Sequence, residues 1–505
     1  MKKNIIIITV SSVVFVLAGY VFLRYTGIET PDLSQGGVPW GQVQCEDDRG
    51  KVGSVVAETF KDDTLYVAGN FEGILDFGTI GQSTSEPSLE EDFEYTSPSG
   101  EDFQGAITTR RNALYVTRYD QGFVRWVSEI YPDTLADISS ITSDSMGNIY
   151  IGGYFSREID FGQGNVLTSE GGRFHDGFVA KYSPDGIIQW ASVIDSTNFT
   201  AILDIVVDEN DQVYAVGSFQ GSLMVDDQIA LQTTDDRDNM GMIFSFAPDG
   251  DIRWVRQVGG QSTSRGIDHW IQLHDGNVYV LTGWEGRRKV VRYSPEADEE
   301  VVFGLDDIFM SGGGFDMDEQ GNFYILVNFM EIEGSRGAPV QLAPNTLVEG
   351  EVRNNTLLIK YSPTGEFQWH DAISGVWGDS LAVNSQTQDI LVHGTIKPTS
   401  HGTPDLELEG GSSDYWSHSV IIPYRDGERQ LAVAIPGIDT SAVLIARDQT
   451  QYVVGVAHPP ESSSYYTESV DPHTEKCPAV PQLSRIRNFS EIDEFAGDSL
   501  LWMFP

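Results

Sequence analysis

The run Gly147-Asn148-Ile149-Tyr150-Ile151-Gly152-Gly153-Tyr154-Phe155 is followed by Gly177-Phe178-Val179-Ala180-Lys181-Tyr182-Ser183-Pro184-Asp185-Gly186-Ile187-Ile188-Gln189-Trp190. The order returns as Gln212-Val213-Tyr214-Ala215-Val216-Gly217-Ser218-Phe219, then Ile243-Phe244-Ser245-Phe246-Ala247-Pro248-Asp249-Gly250-Asp251-Ile252-Arg253-Trp254. A third copy reads Gly321-Asn322-Phe323-Tyr324, then Leu358-Ile359-Lys360-Tyr361-Ser362-Pro363-Thr364-Gly365-Glu366-Phe367-Gln368-Trp369. Tyr182 and Trp190, Phe246 and Trp254, and Tyr361 and Trp369 are each eight residues apart. A fixed internal spacing of this kind marks units that bury their apolar faces only against neighbouring copies.

Weaker copies fill the gaps. The first strand signal also stands at Leu65-Tyr66, Val278-Tyr279, Ile390-Leu391 and Tyr452-Val453, so the marks fall at 66, 150, 214, 279, 324, 391 and 453. Divergent outer hairpins run from Tyr119 to Trp126, Tyr293 to Phe303, Tyr424 to Leu431 and Phe489 to Trp502. Each copy reads as four short strands. The first two flank a turn rich in Asp, Gly and Asn, such as 144–148, and the last two flank Ser-Pro-Asp-Gly, where Pro presets a turn and Gly accepts positive φ. Val213, Ala215 and Gly217 alternate with Tyr214, Val216 and Ser218, the period of a strand packed on both faces. The fold class is therefore all-β: a seven-bladed β-propeller of four-stranded antiparallel blades behind an N-terminal transmembrane or signal helix. The expected blades cover about 52–130, 137–194, 201–258, 264–303, 311–373, 376–435 and 439–505.

The pattern Gly-Asn-x-Tyr-x-x-Gly-x-Phe, then Asp-Phe-Gly, then Phe-Val-Ala-Lys-Tyr-Ser-Pro-Asp-Gly-x-x-x-Trp resembles the bacterial seven-bladed β-propeller repeat family. Asp76-Phe77-Gly78 and Asp160-Phe161-Gly162 supply its middle element. The resemblance covers roughly residues 52–505 and is specific for fold. It implies a secreted or surface protein and assigns no activity.

Composition narrows the function classes. The 505 residues carry 75 acidic and 31 basic side chains, a net charge of −44. Such a chain does not bind nucleic acid by neutralising phosphates, which needs clustered Lys and Arg. With 40% hydrophobic and 11% aromatic residues it buries sizeable cores despite its acidity. Lys2 and Lys3 precede an apolar run over 5–23 closed by Arg24. As a helix that run spans about 28 Å, close to the hydrocarbon thickness of a bilayer. Residues 1–24 are read as an uncleaved signal anchor, or as a signal peptide cleaved near Ala18 and Gly19, with 25–51 as linker. The propeller is then membrane-anchored outside the cytoplasm, in the periplasm or at the cell surface, or else secreted.

No contiguous motif carries chemistry. The nine His form no zinc pattern, and no nucleophile elbow, phosphate-cradling loop or dinucleotide fingerprint occurs. His269 and His274 with Asp268 and Asp275 are the densest metal-like cluster, but Trp270, Ile271 and Leu273 point to an ordinary strand. Asp316-x-Asp318-x-Gln320-Gly321 resembles a calcium loop but has Val327 at the twelfth position, where an EF-hand has Glu. A hairpin turn is preferred there, as at Asp144 and Asp208, with weak calcium binding by several turns as the alternative. No catalytic residue, metal ligand or cofactor site is assigned. Trp126, Trp190, Trp254, Trp369 and Trp502 fall on repeat positions and are read as core, as is Trp284, aligned with Phe71, Phe155, Phe219 and Phe329. Trp377 and Trp416 fall off the repeat and are the candidates for a binding face. Asp137, Asp204, Asp268 and Asp379 stand near the starts of first strands without sharing one register, which gives no ordered carboxylate ring. The insertions 82–102, 232–239, 331–354, 397–416 and 459–482 are where copies differ, and variable loops on a rigid scaffold commonly carry recognition.

The expected role is a monomeric, non-enzymatic binding or scaffolding propeller whose partner is a protein or glycan outside the cytoplasm. The alternatives are a propeller enzyme of lyase, lactonase or quinone-dependent type with a site at the channel mouth, and a structural surface protein. Ring closure would also bring Cys45, just before the first copy, beside Cys477 in the last. A disulfide closing that loop of about 430 residues would stabilise by about 4–5 kcal/mol in the entropic description. Non-reducing peptide mapping is expected to find Cys45 linked to Cys477; two free thiols would refute the pairing.

Overall fold

A computed structural model describes residues 42–44, 51–60, 64–72, 74–76, 82–84, 89–96, 102–109, 113–120, 123–169, 175–226, 228–235, 238–262, 269–284, 287–305, 310–329, 340–343, 346–348, 355–396, 406, 419–435, 438–445, 451–457 and 480–486. The N-terminal apolar segment, Cys45, Cys477, Trp416 and Trp502 lie outside these residues. Among the described residues no helix is long and apolar enough to cross a membrane.

The described chain is all-β, and its repeated unit is a four-stranded antiparallel meander in chain order. One sheet holds Ala136–Ser143, Ile149–Phe155, Asp176–Tyr182 and Ile188–Ile194; the next holds Phe199–Val207, Val213–Gln220, Asn239–Phe246 and Ile252–Ser262. His269–His274, Asn277–Trp284, Arg287–Tyr293 and Glu299–Leu305 form another, followed by Met310–Met317, Phe323–Phe329, Asn355–Tyr361 and Phe367–Ser374. Before them Lys51–Phe60, Thr64–Glu72, Ala113–Asp120 and Phe123–Pro132 pair in the same order. After them come Val376–Val383, Ile390–Ile396 and Ser419–Arg425, the last bonded to Glu428–Arg429 and Val433–Ile435.

Near the C-terminus Ile438–Ile445, Gln451–Ala457 and Val480–Ile486 make a three-stranded sheet. Its third strand therefore ends before Phe489, where the sequence began the outer hairpin that runs to Trp502. Gln42–Gln44, inside the stretch read as linker, pairs with Ile74–Asp76 and lies against Val480–Ile486. In the 136–194 unit the corresponding short strand Glu158–Asp160 pairs with the outer strand Phe123–Pro132 of the sheet before it. Gln42–Gln44 thus takes an outer-strand place beside a sheet formed by the far end of the chain.

The first strand of each sheet packs against the first strand of the next. The succession runs Lys51–Phe60, Ala136–Ser143, Phe199–Val207, His269–His274, Met310–Met317, Val376–Val383 and Ile438–Ile445, which packs back on Lys51–Phe60. Each apolar cluster accordingly spans two neighbouring sheets: Tyr150, Val179 and Ile194 of one pack with Ile202, Phe219 and Phe244 of the next. A meander buried on both faces needs apolar residues on both, and Ile149–Phe155 and Val213–Gln220 are buried at nearly every position. Each fully buried Ile, Val or Phe contributes about 1.5–3 kcal/mol.

The repeat's Pro-x-Gly and Trp elements prove to be two halves of one contact between sheets. The indole of Trp126 donates to the carbonyl of Pro184 at 2.8 Å, Trp190 to Pro248 at 3.0 Å, and Trp254 to Pro295 at 3.1 Å. The glycine two residues after each of the first two prolines holds positive φ, 76° at Gly186 and 94° at Gly250. A Cβ there would stand 2.6 Å from the Trp126 ring and 2.8 Å from that of Trp190. These indoles, expected as core, are half-buried at the outer strands and clasp the turn of the following sheet. Phe303 takes the same place over Gly365.

Gly250→Ala is expected to lose at least about 1 kcal/mol, because both φ and the ring contact oppose a Cβ. Trp190→Phe is expected to lose about 1 kcal/mol with the hydrogen bond. Chemical denaturation checks both, and an unchanged midpoint in either variant would show that the clasp adds nothing.

Candidate functional site

In each antiparallel meander the first-to-second and third-to-fourth turns share one edge of the sheet. The second-to-third connection and the link to the next sheet share the other. The turn edge is short throughout: first-to-second connections span 61–63, 144–148, 208–212, 275–276, 318–322, 384–389 and 446–450. Second-to-third connections range from 285–286 to 73–112.

At the turn edge the recurring Asp is a structural fastener. Asp318 accepts from the backbone N–H groups of Gln320 and Asn322 at 3.0 and 2.9 Å, from Asn322 Nδ2 at 2.7 Å and from the Tyr324 hydroxyl at 3.0 Å. Lys360 Nζ stands 3.9 Å from its carboxylate and 4.8 Å from the Tyr324 ring centre. Asp144 repeats the set with Met146, Asn148, Tyr150 and Lys181. Asp208 repeats it with Asn210, Gln212 and Tyr214. The turn that resembles a calcium loop therefore has both Asp318 oxygens engaged by the chain's own donors. Burial lowers the Lys360 pKa, a shift that the Asp318 charge opposes. The tyrosine hydroxyls of this set are pushed up by burial first and the adjacent carboxylate second, Tyr214 to about 12.

The acids near the starts of first strands pin neighbouring sheets together. Asp137 Oδ1 accepts from Asn70 Nδ2 of the preceding sheet at 2.8 Å and from the Ile138 N–H at 2.9 Å. Asp204 accepts from Ser140 Oγ of the preceding sheet at 2.8 Å and from the Ile271 N–H of the following one at 3.1 Å. Asp316, which the sequence grouped with the calcium-like turn, instead accepts from the Val383 N–H of the next first strand at 2.8 Å. The registers differ as expected: Asp137 precedes its strand's β-bulge, Asp204 follows its own, and Asp379 occupies the bulge itself. Asp268 lies outside the described residues.

Trp377 is half-buried in Val376–Val383 and pairs with Thr395. The neighbouring Gly378 N–H donates to Asn328 Oδ1 at 2.7 Å, while Asn328 Nδ2 donates to the Gly378 carbonyl at 2.6 Å, which fixes the backbone at this position. Trp416, its expected companion, lies outside the described residues, as do both cysteines. His274 packs over the Gly321 turn, where a Cβ would stand 2.8 Å from its Nε2. Among the described residues no group of three or more His, Cys, Asp or Glu is disposed to hold a metal ion.

One pair escaped the sequence reading because no motif links its members. At the variable edge, the Ser156 hydroxyl and His175 Nδ1 are 2.6 Å apart. They flank the second-to-third connection of the 136–194 sheet, nineteen residues apart in the chain and opposite each other across paired strands. The imidazole lies 5.0 Å from the Tyr154 ring and 6.0 Å, edge-on, from Phe199. Burial lowers the His175 pKa below its ordinary 6.5.

No family model matches the chain. Over 208 residues it is 22% identical to an uncharacterized WD repeat-containing protein of Acanthamoeba polyphaga mimivirus. That match takes in 36% of this chain and only 14% of the viral protein's length. Among solved structures it is similar to a protein from Lactobacillus plantarum, with TM-score 0.40 and 11% identity over 79% of this chain and 99% of that one. The WD40 β-propeller domain of Doa1 aligns with TM-score 0.30 and 12% identity over 63% and 90% of the two chains. A protein of unknown function from Dyadobacter fermentans aligns with TM-score 0.36 and 8% identity over 92% and 100%.

Burial raises the Asp316 pKa to about 7 and that of Asp204 to about 6, against the lowering effect of their backbone donors. The native state thus holds these protons to higher pH than the unfolded chain, where Asp titrates near ~4. Unfolding releases protons in this window, so these two groups make stability fall as pH rises from about 4 to about 7. Asp316→Asn is expected to flatten the decline in denaturation midpoint over that range; an unchanged slope would show that Asp316 does not titrate there.

Proposed function

We propose that the chain is a seven-bladed β-propeller held outside the cytoplasm by its N-terminal apolar segment, working as a non-enzymatic binding or scaffolding module. The observation that carries this reading is the contrast between the two sheet edges. Short turns, some with a repeated Asp–Tyr hydrogen-bond set, occupy one edge, while the connections that vary most in length leave from the other. Loops that differ among copies on a common rigid frame are suited to recognising one partner through several blades. Asp137, Asp204 and Asp316 support the same reading, since their oxygens are engaged in bonds that hold neighbouring strands.

A protein or glycan outside the cytoplasm is the proposed partner, met at the variable edge with Trp377 and Trp416 contributing aromatic contact. The net charge of −44 keeps the surface soluble and repels anionic lipid and nucleic acid. With Asp144, Asp208 and Asp318 already saturated by internal donors, calcium would bind weakly and at other acidic positions of the turns.

The test is a pull-down from the native envelope with residues 30–505 as bait, run with calcium and with chelator. A saturable partner retained in both conditions is expected, and its binding is expected to fall at least tenfold in Trp377→Ala. Absence of any saturable partner in both conditions would overturn the binding role.

A further inference from the structure

We propose that Ser156 and His175 form an acyl-transfer dyad at the variable edge, able to cleave carboxylic esters with a short apolar acyl group. This replaces the non-enzymatic part of the reading above, leaves its binding part in place and stands on different residues. Three observations converge on it. The hydroxyl lies 2.6 Å from Nδ1, within the range that lets a general base take its proton. The imidazole is held by rings on two sides, Tyr154 from the strand that ends beside Ser156 and Phe199 from the next sheet. The His175 carbonyl also accepts from the Thr200 N–H at 2.8 Å, which fixes the backbone that carries the base.

Local conformation adds a further observation. Arg157, immediately after Ser156, has φ 63°, a left-handed conformation that is costly for a side chain with a Cβ. Ser156 itself is fixed by its N–H to the Leu135 carbonyl at 2.8 Å and by its carbonyl, which accepts from Thr134 Oγ1 at 3.1 Å. The hydroxyl thus projects from a backbone bonded on both sides, next to a strained residue. Leu135, whose carbonyl bonds the Ser156 N–H, is 41% exposed, so apolar surface is available to an acyl chain.

In the proposed step Ser156 Oγ bonds to the ester carbonyl carbon while its proton passes to His175 Nδ1. The bond from that carbon to the alcohol oxygen breaks, and His175 returns the proton to the leaving oxygen. Water then attacks the acyl-serine by the same route, releasing the carboxylic acid and restoring Ser156. The step requires the tautomer with Nδ1 unprotonated, and burial keeps the ring neutral to lower pH than a solvated histidine.

The experiment treats the full chain with an alkyl fluorophosphonate and maps the adduct by peptide mass spectrometry. A single adduct on Ser156 is expected, lost in Ser156→Ala and formed about 100-fold more slowly in His175→Gln, the size usual for removal of a general base. The labelling rate is expected to rise with pH to a plateau, with its midpoint below the ordinary 6.5 of histidine. Absence of an adduct, an adduct elsewhere, or wild-type labelling in His175→Gln would overturn the proposal. The wild-type map decides the matter even where a variant fails to fold, and it is independent of whether the envelope pull-down finds a partner.

Discussion

Everything in this fold depends on attaching one twisted four-stranded sheet to the next at a fixed distance. Apolar burial between sheets provides most of the free energy but is non-directional, and two sheets could slide on it. The indole-to-carbonyl bonds from Trp126 to Pro184 and from Trp190 to Pro248 remove that freedom. Each fixes the outer strand of one sheet to a turn of the following one, and the absent Cβ at Gly186 and Gly250 lets ring and backbone touch. Pro sets the turn, Gly opens it, and Trp reads it across the gap.

The first strands carry a second set of fasteners nearer the centre. Asp137, Asp204 and Asp316 each bridge to a backbone or side-chain donor in an adjacent sheet. This changes how the chain's acidity is understood. Much of the net charge is surface, but these carboxylates are structural acceptors, and burial raises the pKa of two of them because the ionised form loses hydration. A frame fastened at both radii can carry connections of very different length at its variable edge without loss of register, because loop-closure entropy grows only slowly with length.

The Ser156–His175 pair belongs to that same edge. It is built from the end of one strand and the start of its neighbour, so the pairing that makes the sheet also sets the distance between hydroxyl and imidazole. Chemistry placed this way leaves no contiguous signature. No nucleophile elbow or zinc spacing marks either residue, although Ser156 directly follows the repeat stretch Gly147 to Phe155.

What the sequence determined by itself was the unit: four strands, two kinds of turn, and the aromatic positions, because strand period, Pro and Gly are local properties. From Tyr182-Ser183-Pro184-Asp185-Gly186 and Trp190 the turn and the outer strand could be placed within a residue or two. The sequence could not show that Trp126, not Trp190, sits on the Gly186 turn, since a residue's partner in the next sheet lies about sixty positions away. Nor could it separate Asp316 from Asp318, two residues apart: one bonds the next sheet and the other closes its own turn. Asp316 lies in the strand that ends at Met317 and Asp318 in the turn beyond it, and only tertiary packing supplies the donors that give each its role.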